Sequence, residues 1–213
     1  MKRTAPLALR NLGLVRAAVA RHLPAGAARL LELGSGTGEQ AVALARALPR
    51  AEVQPSDPDP AARASIAAWA AEARLPNLRP PLDLDLLAPA WRRQPADLLL
   101  CVNVLHLAPE SAAVALLDGA ADLPPGGRLV LYGPFRRSGE RSPRLTRFDG
   151  ELRAHDPRLG VPALEPLLEA ARARRLAVLE DGPGAEEGDR LLVLGGAGLA
   201  LLAPPVSEPA EGP

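Results

Sequence analysis

Apolar positions along this chain recur with two different periods, and their alternation predicts its layout. From Asn11 to Leu23 apolar residues fall at Leu12, Val15, Val19 and Leu23 with arginines between them. That is helical spacing, and Pro24-Ala25-Gly26 ends it. Arg29 to Leu33 is a short apolar run of the kind that makes a buried strand. Gly38 to Leu48 returns to a helical pattern of alanine and leucine, stopped by Pro49. Ala51 to Gln54 reads as a second strand and Ser56-Asp57-Pro58-Asp59-Pro60 as a turn. Asp59 is placed to cap the helix Ala61 to Ala73 and Pro60 to open it. Leu78 to Leu84 reads as a third strand, with Pro80 and Pro81 confining it to an edge.

The second half repeats the scheme. Asp97 to Val104 is the most continuously apolar segment, as expected of a strand covered on both faces. Glu110 to Ala121 follows as a helix, Arg128 to Tyr132 as a fifth strand and Pro162 to Arg174 as another helix. Leu176 to Leu179 and Arg190 to Leu194, separated by a short Gly/Glu loop, predict two late strands paired as an antiparallel hairpin. Gly133 to Gly160 is polar, rich in arginine and proline, and reads as a loop. Strands alternating with helices force parallel pairing, so the expected fold is an α/β doubly wound sheet. One domain is expected over residues 1–202, with a disordered Pro-, Glu- and Ala-rich tail over 203–213.

Composition narrows the classes of function. The 213 residues carry 25 basic and 25 acidic side chains, and only 2% are aromatic. A basic nucleic-acid surface and a platform for stacking bases are therefore not expected. Cys101 is the single cysteine and lies within an apolar run, which makes it a core residue, with a reducing cytoplasm as the expected compartment. The three histidines are far apart, so no metal site is expected. No segment is long enough to span a bilayer, and the apolar run from Gly195 is bounded by prolines.

The stretch Leu30-Leu31-Glu32-Leu33-Gly34-Ser35-Gly36-Thr37-Gly38-Glu39 carries the chemistry. A strand runs into an acid, then into glycines at alternate positions, then into a helix. In a dinucleotide site the third glycine of G-x-G-x-x-G packs the helix, and the helix N-terminus receives a pyrophosphate. Here that third position is Glu39, whose carboxylate, with Glu32, would repel a pyrophosphate. S-adenosylmethionine has no phosphate. It carries a sulfonium and an ammonium, and Glu32 suits the ammonium. Gly34, Ser35, Gly36 and Gly38 let the backbone approach the methionine part. The loop matches the E-x-G-x-G-x-G pattern of class I methyltransferases.

Other contacts follow from the position of the ligand beyond the carboxyl ends of the strands. A ribose there calls for a carboxylate after the second strand: Asp57, or alternatively Asp59, which competes as a helix cap. Asp85 after the third strand could accept from an adenine amino group, with Asp83 as its rival. Asn103 and His106 follow the most apolar strand, where the methyl group would face. Either could orient an acceptor, and His106 could take a proton. Tyr132-Gly133-Pro134-Phe135 would form another wall.

Together these residues resemble a group of small class I methyltransferase-like proteins of bacteria and animals, long catalogued as a domain of unknown function. The resemblance covers about residues 10 to 165. It rests on Arg10-Asn11, Ser35-Gly36-Thr37-Gly38, Gln54-Pro55-Ser56-Asp57-Pro58-Asp59, Leu82-Asp83-Leu84-Asp85, Asn103 with His106, and Tyr132-Gly133-Pro134-Phe135. It implies a Rossmann-like class I methyltransferase fold, with seven mostly parallel strands, an antiparallel last strand and helices on both faces. It also implies an S-adenosylmethionine-dependent transferase but supplies no substrate; the expected acceptor is a small molecule, with Asn11, Tyr132 and Phe135 on the substrate side. The alternative is a non-catalytic module of the same fold that acts through a partner. Family members carry an acid before Arg-Asn, where this chain has Leu9, and an asparagine pair where it has Ala185-Glu186-Glu187-Gly188.

Overall fold

A computed structural model describes residues 1–26 and 28–196, the side chains of 6–9 apart. Six strands form one sheet: β1 (Arg29–Leu33), β2 (Glu52–Ser56), β3 (Leu98–Val102), β4 (Arg128–Pro134), β5 (Leu176–Pro183) and β6 (Asp189–Gly196). Their order is β2-β1-β3-β4-β6-β5. The first four run parallel, while β6 is antiparallel to both β4 and β5. The helices are α1 (Pro6–His22), α2 (Glu39–Ala47), α3 (Pro60–Ala73), α4 (Ser111–Ala121), α5 (Pro143–His155) and α6 (Leu164–Ala173).

Side chains alternate across the pleat and feed two cores. Leu31, Leu33, Leu99, Cys101, Leu129 and Leu131 face α4 and α6, where Leu116, Leu117, Leu167 and Ala171 complete the packing. Leu30, Leu98, Leu100, Val130 and Val193 face α1 and α2 and meet Val15, Val19, Val42 and Leu44. Burial on both faces accounts for the unbroken apolar character of β3. Cys101 belongs to the first core. Burial, aided by the Glu32 carboxylate, pushes its thiol up to about 12, so it is an inert apolar filler.

Three expectations need correction. The sheet has six strands, because residues 78–84 make only isolated bridges, Val53 to Leu78 and Ser56 to Leu82. Arg79 donates to the Val53 carbonyl (2.9 Å) and Leu82 to the Pro55 carbonyl (3.0 Å). Between them Pro80 and Pro81 have no N–H to offer, and the ladder breaks. The first helix starts at Pro6, five residues before the apolar period becomes visible. The segment 133–160 contains α5, a helix of 13 residues. Ser142 caps it, accepting from the Leu145 N–H at 3.2 Å, and Pro143 opens it. Its apolar stripe of Leu145, Phe148 and Leu152 packs on Val161 and Leu159. The expected tail, 203–213, lies outside the described residues.

The chain enters the sheet at β1, turns out to β2, then returns to the other side of β1 for β3. That reversal opens a crevice between the carboxyl ends of β1 and β3, the place where open α/β sheets bind ligands.

Candidate cofactor and acceptor cleft

A cleft of about 470 Å³ occupies that crevice. Its floor is the loop after β1. Gly34 has φ +71°, and a Cβ there would lie 2.5 Å from Cγ2 of Val104, so the two strand ends can approach only with glycine at this position. Gly38 (φ +95°) opens α2 and lies against α3, where a Cβ would sit 2.8 Å from the Ile66 Cα. It serves helix packing and does not line the cleft. Ser35 and Ser56 fasten the ends of β1 and β2: Ser56 Oγ donates to the Glu32 carbonyl at 2.7 Å, and Ser35 Oγ accepts from the Ser56 N–H at 3.1 Å.

The polar groups lining the cleft are unbalanced. Glu32 is 2% exposed, and its Oε1 accepts from Gln40 Nε2 at 2.7 Å, leaving Oε2 without a partner. Gln40 Oε1 and Asn11 Oδ1 are buried and unpartnered as well. Three acceptor atoms on residues that line one cleft are therefore buried without a donor among the described residues. Burial holds the Glu32 carboxyl above its ordinary range, the hydrogen bond from Gln40 pulls it back, and Asp57 adds repulsion.

Asp57 lines the cleft directly after β2. Its Oδ2 accepts from the Gly36 N–H and its Oδ1 from the Asp59 N–H, both at 2.9 Å. Each oxygen keeps a lone pair for a further donor. Asp59 caps α3, accepting from the Ala61 N–H at 2.8 Å. The structure does not bring Asp85 or Asp83 to the cleft. Asp85 accepts from the Leu87 N–H in its own turn, and Asp83 pairs with Arg63 at 2.9 Å.

Asn103, His106 and Tyr132 also line the cleft, where three elements meet at the rim. Asn103 ends β3 in the left-handed region (φ +57°), a conformation asparagine tolerates, and its N–H donates to the Tyr132 carbonyl. His106 is 7% exposed and meets the Phe148 ring edge-on, centroids 5.3 Å apart. Burial, helped by the nearby Arg144, lowers its imidazole to about 4, so it is neutral at pH 7. Tyr132 donates to Asp189 (3.0 Å) and accepts from the Ala185 N–H (2.9 Å), fixing the β5–β6 turn over the cleft. Burial raises this hydroxyl to about 12. Phe135 is buried in the other core and does not reach the cleft, because the strand has turned its side chain to the α4/α6 face.

Sequence reasoning missed a set of charges at this rim. Glu186 pairs with Arg10 of α1 and with Arg144 of α5 (2.7 Å), and Arg144 also reaches Asp189 at 3.3 Å. The turn, α1 and α5 are thus tied together around one carboxylate. No local pattern announces such pairs, since the partners lie far apart in the chain. Gln40 was legible in principle, as a polar residue one step inside a helix that packs on β1. Among the described residues there is no cluster suited to a metal, and no helix is long and apolar enough to cross a membrane.

Residues 2–182 match the family described as "Protein of unknown function (DUF938)". The chain belongs to this family. Solved structures that resemble this DUF938 chain include an O-methyltransferase family protein from Burkholderia thailandensis, 18% identical, with a TM-score of 0.76. The match covers 90% of this chain and 56% of that one. An O-methyltransferase family 2 protein from Planctomyces limnophilus, in complex with apigenin, is 20% identical with a TM-score of 0.68, over 87% and 62% of the two chains. CalO1, a methyltransferase in calicheamicin biosynthesis, in its SAH-bound form, is 17% identical with a TM-score of 0.70, over 90% and 54%. The DUF938 chain thus spans little more than half the length of these proteins. At such identities they establish a Rossmann-like methyltransferase fold.

Proposed function

We propose that the cleft binds S-adenosylmethionine and that the protein transfers its methyl group to a small molecule. The observation that carries this reading is the trio of unpartnered acceptors, Asn11 Oδ1, Glu32 Oε2 and Gln40 Oε1. An ammonium brings three N–H donors and a positive charge, which suits a cleft lined by two amide oxygens and a carboxylate that lack donors. A phosphate or pyrophosphate there would meet acceptors only.

When bound, S-adenosylmethionine supplies an electrophilic methyl on a sulfonium. Asn11, Glu32 and Gln40 would hold the ammonium, and Asp57 would accept from ribose hydroxyls. Asn103, at the end of β3, would orient the acceptor, with Tyr132 and Leu107 as walls. In-line displacement needs alignment above all, and a cleft built on strand ends provides it. His106 is neutral, but burial and the nearby Arg144 disfavour its cationic form and make it a weak base, so it suits an acceptor that is already deprotonated or readily loses its proton. The lone buried cysteine supports a reducing, cytoplasmic setting.

Calorimetric titration with S-adenosylhomocysteine tests the reading. Micromolar binding that is lost in Asp57→Ala is the expected result. A folded protein that binds neither S-adenosylhomocysteine nor S-adenosylmethionine would overturn it.

A further inference from the structure

We infer that Arg10 is the receptor for the carboxylate of the cofactor's amino-acid end, and that Glu186 gives up Arg10 when that carboxylate arrives. The inference rests on the cofactor reading and adds to it an exchange of ion-pair partners at the rim.

An amino-acid end carries its ammonium and its carboxylate on one carbon. If the ammonium meets Asn11, the carboxylate on the same carbon calls for a cation that lines the same cleft. The cleft is otherwise hostile to an anion: Glu32, Asp57, Glu186 and Asp189 all line it. Its cations, among the described residues, are Arg10 and Arg144. Arg10 precedes Asn11 on α1. Its side chain is 57% exposed and its partner is Glu186, a rim pair of the kind that contributes little and exchanges readily. Arg144 is less free, since Glu186, Asp189 and the Glu187 carbonyl all accept from it.

The exchange leaves no charge stranded. Glu186 loses Arg10 but keeps Arg144, and Arg144 keeps Asp189. Arg10 trades one carboxylate for another, and a guanidinium can receive it with two parallel N–H donors. The turn 184–188 stays anchored through Tyr132, whose hydroxyl accepts from the Ala185 N–H. Glu186 therefore acts as an internal competitor for the ligand's carboxylate.

Two ligands separate the possibilities: S-adenosylhomocysteine, and S-adenosyl-3-thiopropylamine, the same thioether with hydrogen in place of the carboxyl group. Both are titrated by calorimetry into the full chain, Arg10→Gln and Glu186→Gln, with thermal melting of each ligand-free protein. The unaltered protein should prefer the acid by about tenfold or more, the size of a charge-assisted hydrogen bond. Arg10→Gln should bind both ligands alike, near the unaltered affinity for the amine. Glu186→Gln should bind the acid more tightly and the amine as before. Equal weakening of both ligands in Arg10→Gln, an undiminished preference for the acid, or weaker acid binding in Glu186→Gln would each overturn the exchange. If Arg10→Gln does not fold, Glu186→Gln decides alone. Absence of S-adenosylhomocysteine binding by the unaltered chain would overturn the cofactor reading itself and the exchange with it.

Discussion

Gly34 and Val104 stand at the ends of β1 and β3, and a single methyl group on the glycine would lie 2.5 Å from Val104 Cγ2. Glycine at this position thus lets the two loops that shape the cleft close on each other. Gly34→Ala adds both the clash and a side chain at φ +71°, and should destabilise the fold by about 2–4 kcal/mol in denaturant titration. Trimming the other partner, in Gly34→Ala/Val104→Ala, should restore the part due to the clash. Equal stability of the single and double variants would show that backbone strain alone matters.

Glu32 is a buried acid with one oxygen unpartnered. Its pKa is raised by burial, so the folded, ligand-free protein holds this proton more tightly than the unfolded chain. The cost of the bare carboxylate is fully present above the folded value and is relieved as pH falls through it. Glu32→Gln should therefore raise ligand-free stability at neutral pH, and its advantage should shrink as pH falls toward the ordinary carboxylate range. The same variant should lose about tenfold or more in affinity for S-adenosylhomocysteine, because a charge-assisted bond becomes a neutral one. Urea titrations at several pH values, paired with calorimetry, check both halves.

His106 titrates far below a solvent-exposed histidine, at about 4. Its imidazole signals in NMR spectra should stay constant between pH 5.5 and 8. Because the folded state disfavours the protonated ring, stability due to this residue is present at neutral pH and falls as pH drops from 6.5 toward 4. His106→Gln should flatten that part of the stability profile. A midpoint near 6.5 for His106 would refute the buried, Arg144-facing environment.

Asp57 holds the glycine loop through the Gly36 N–H and faces the cleft. Asp57→Asn keeps an acceptor oxygen but loses the charge, whereas Asp57→Ala loses both. Adenosine binding should fall progressively from the unaltered protein to Asn to Ala, by about tenfold or more at the last step. An adenosine affinity indifferent to both substitutions would remove Asp57 from the ribose site.

Much of the scaffold was legible because its signals are local. The apolar run at β3, the Asp59-Pro60 start of α3 and the glycine loop each announce themselves within a few residues. The seventh strand failed for a reason also present in the sequence: adjacent prolines deny a ladder two successive donors. Helix α5 was hidden among arginines, although Ser142-Pro143 and the spacing Leu145, Phe148, Leu152 mark it in retrospect. At the site, Glu32 and Asp57 could be found because they abut the loop. Asn11 was expected on the substrate side, and the structure places its buried, unpartnered oxygen in the cleft that holds Glu32 and Gln40. The pairing of Arg10, Arg144 and Glu186 depends on three distant elements converging, and only the fold supplies that.

Glu39 gives the loop a further property. Its carboxylate accepts from the Ala5 N–H at 2.7 Å and the Thr37 hydroxyl at 3.0 Å, at the first residue of α2. A carboxylate thus belongs to the first turn of that helix, whose positive end in other nucleotide folds welcomes phosphate. ATP and NAD, whose tails are polyanionic, should accordingly bind more weakly than S-adenosylhomocysteine in competitive titration. An acid at this one position would then sort adenosine compounds by the charge of their tails.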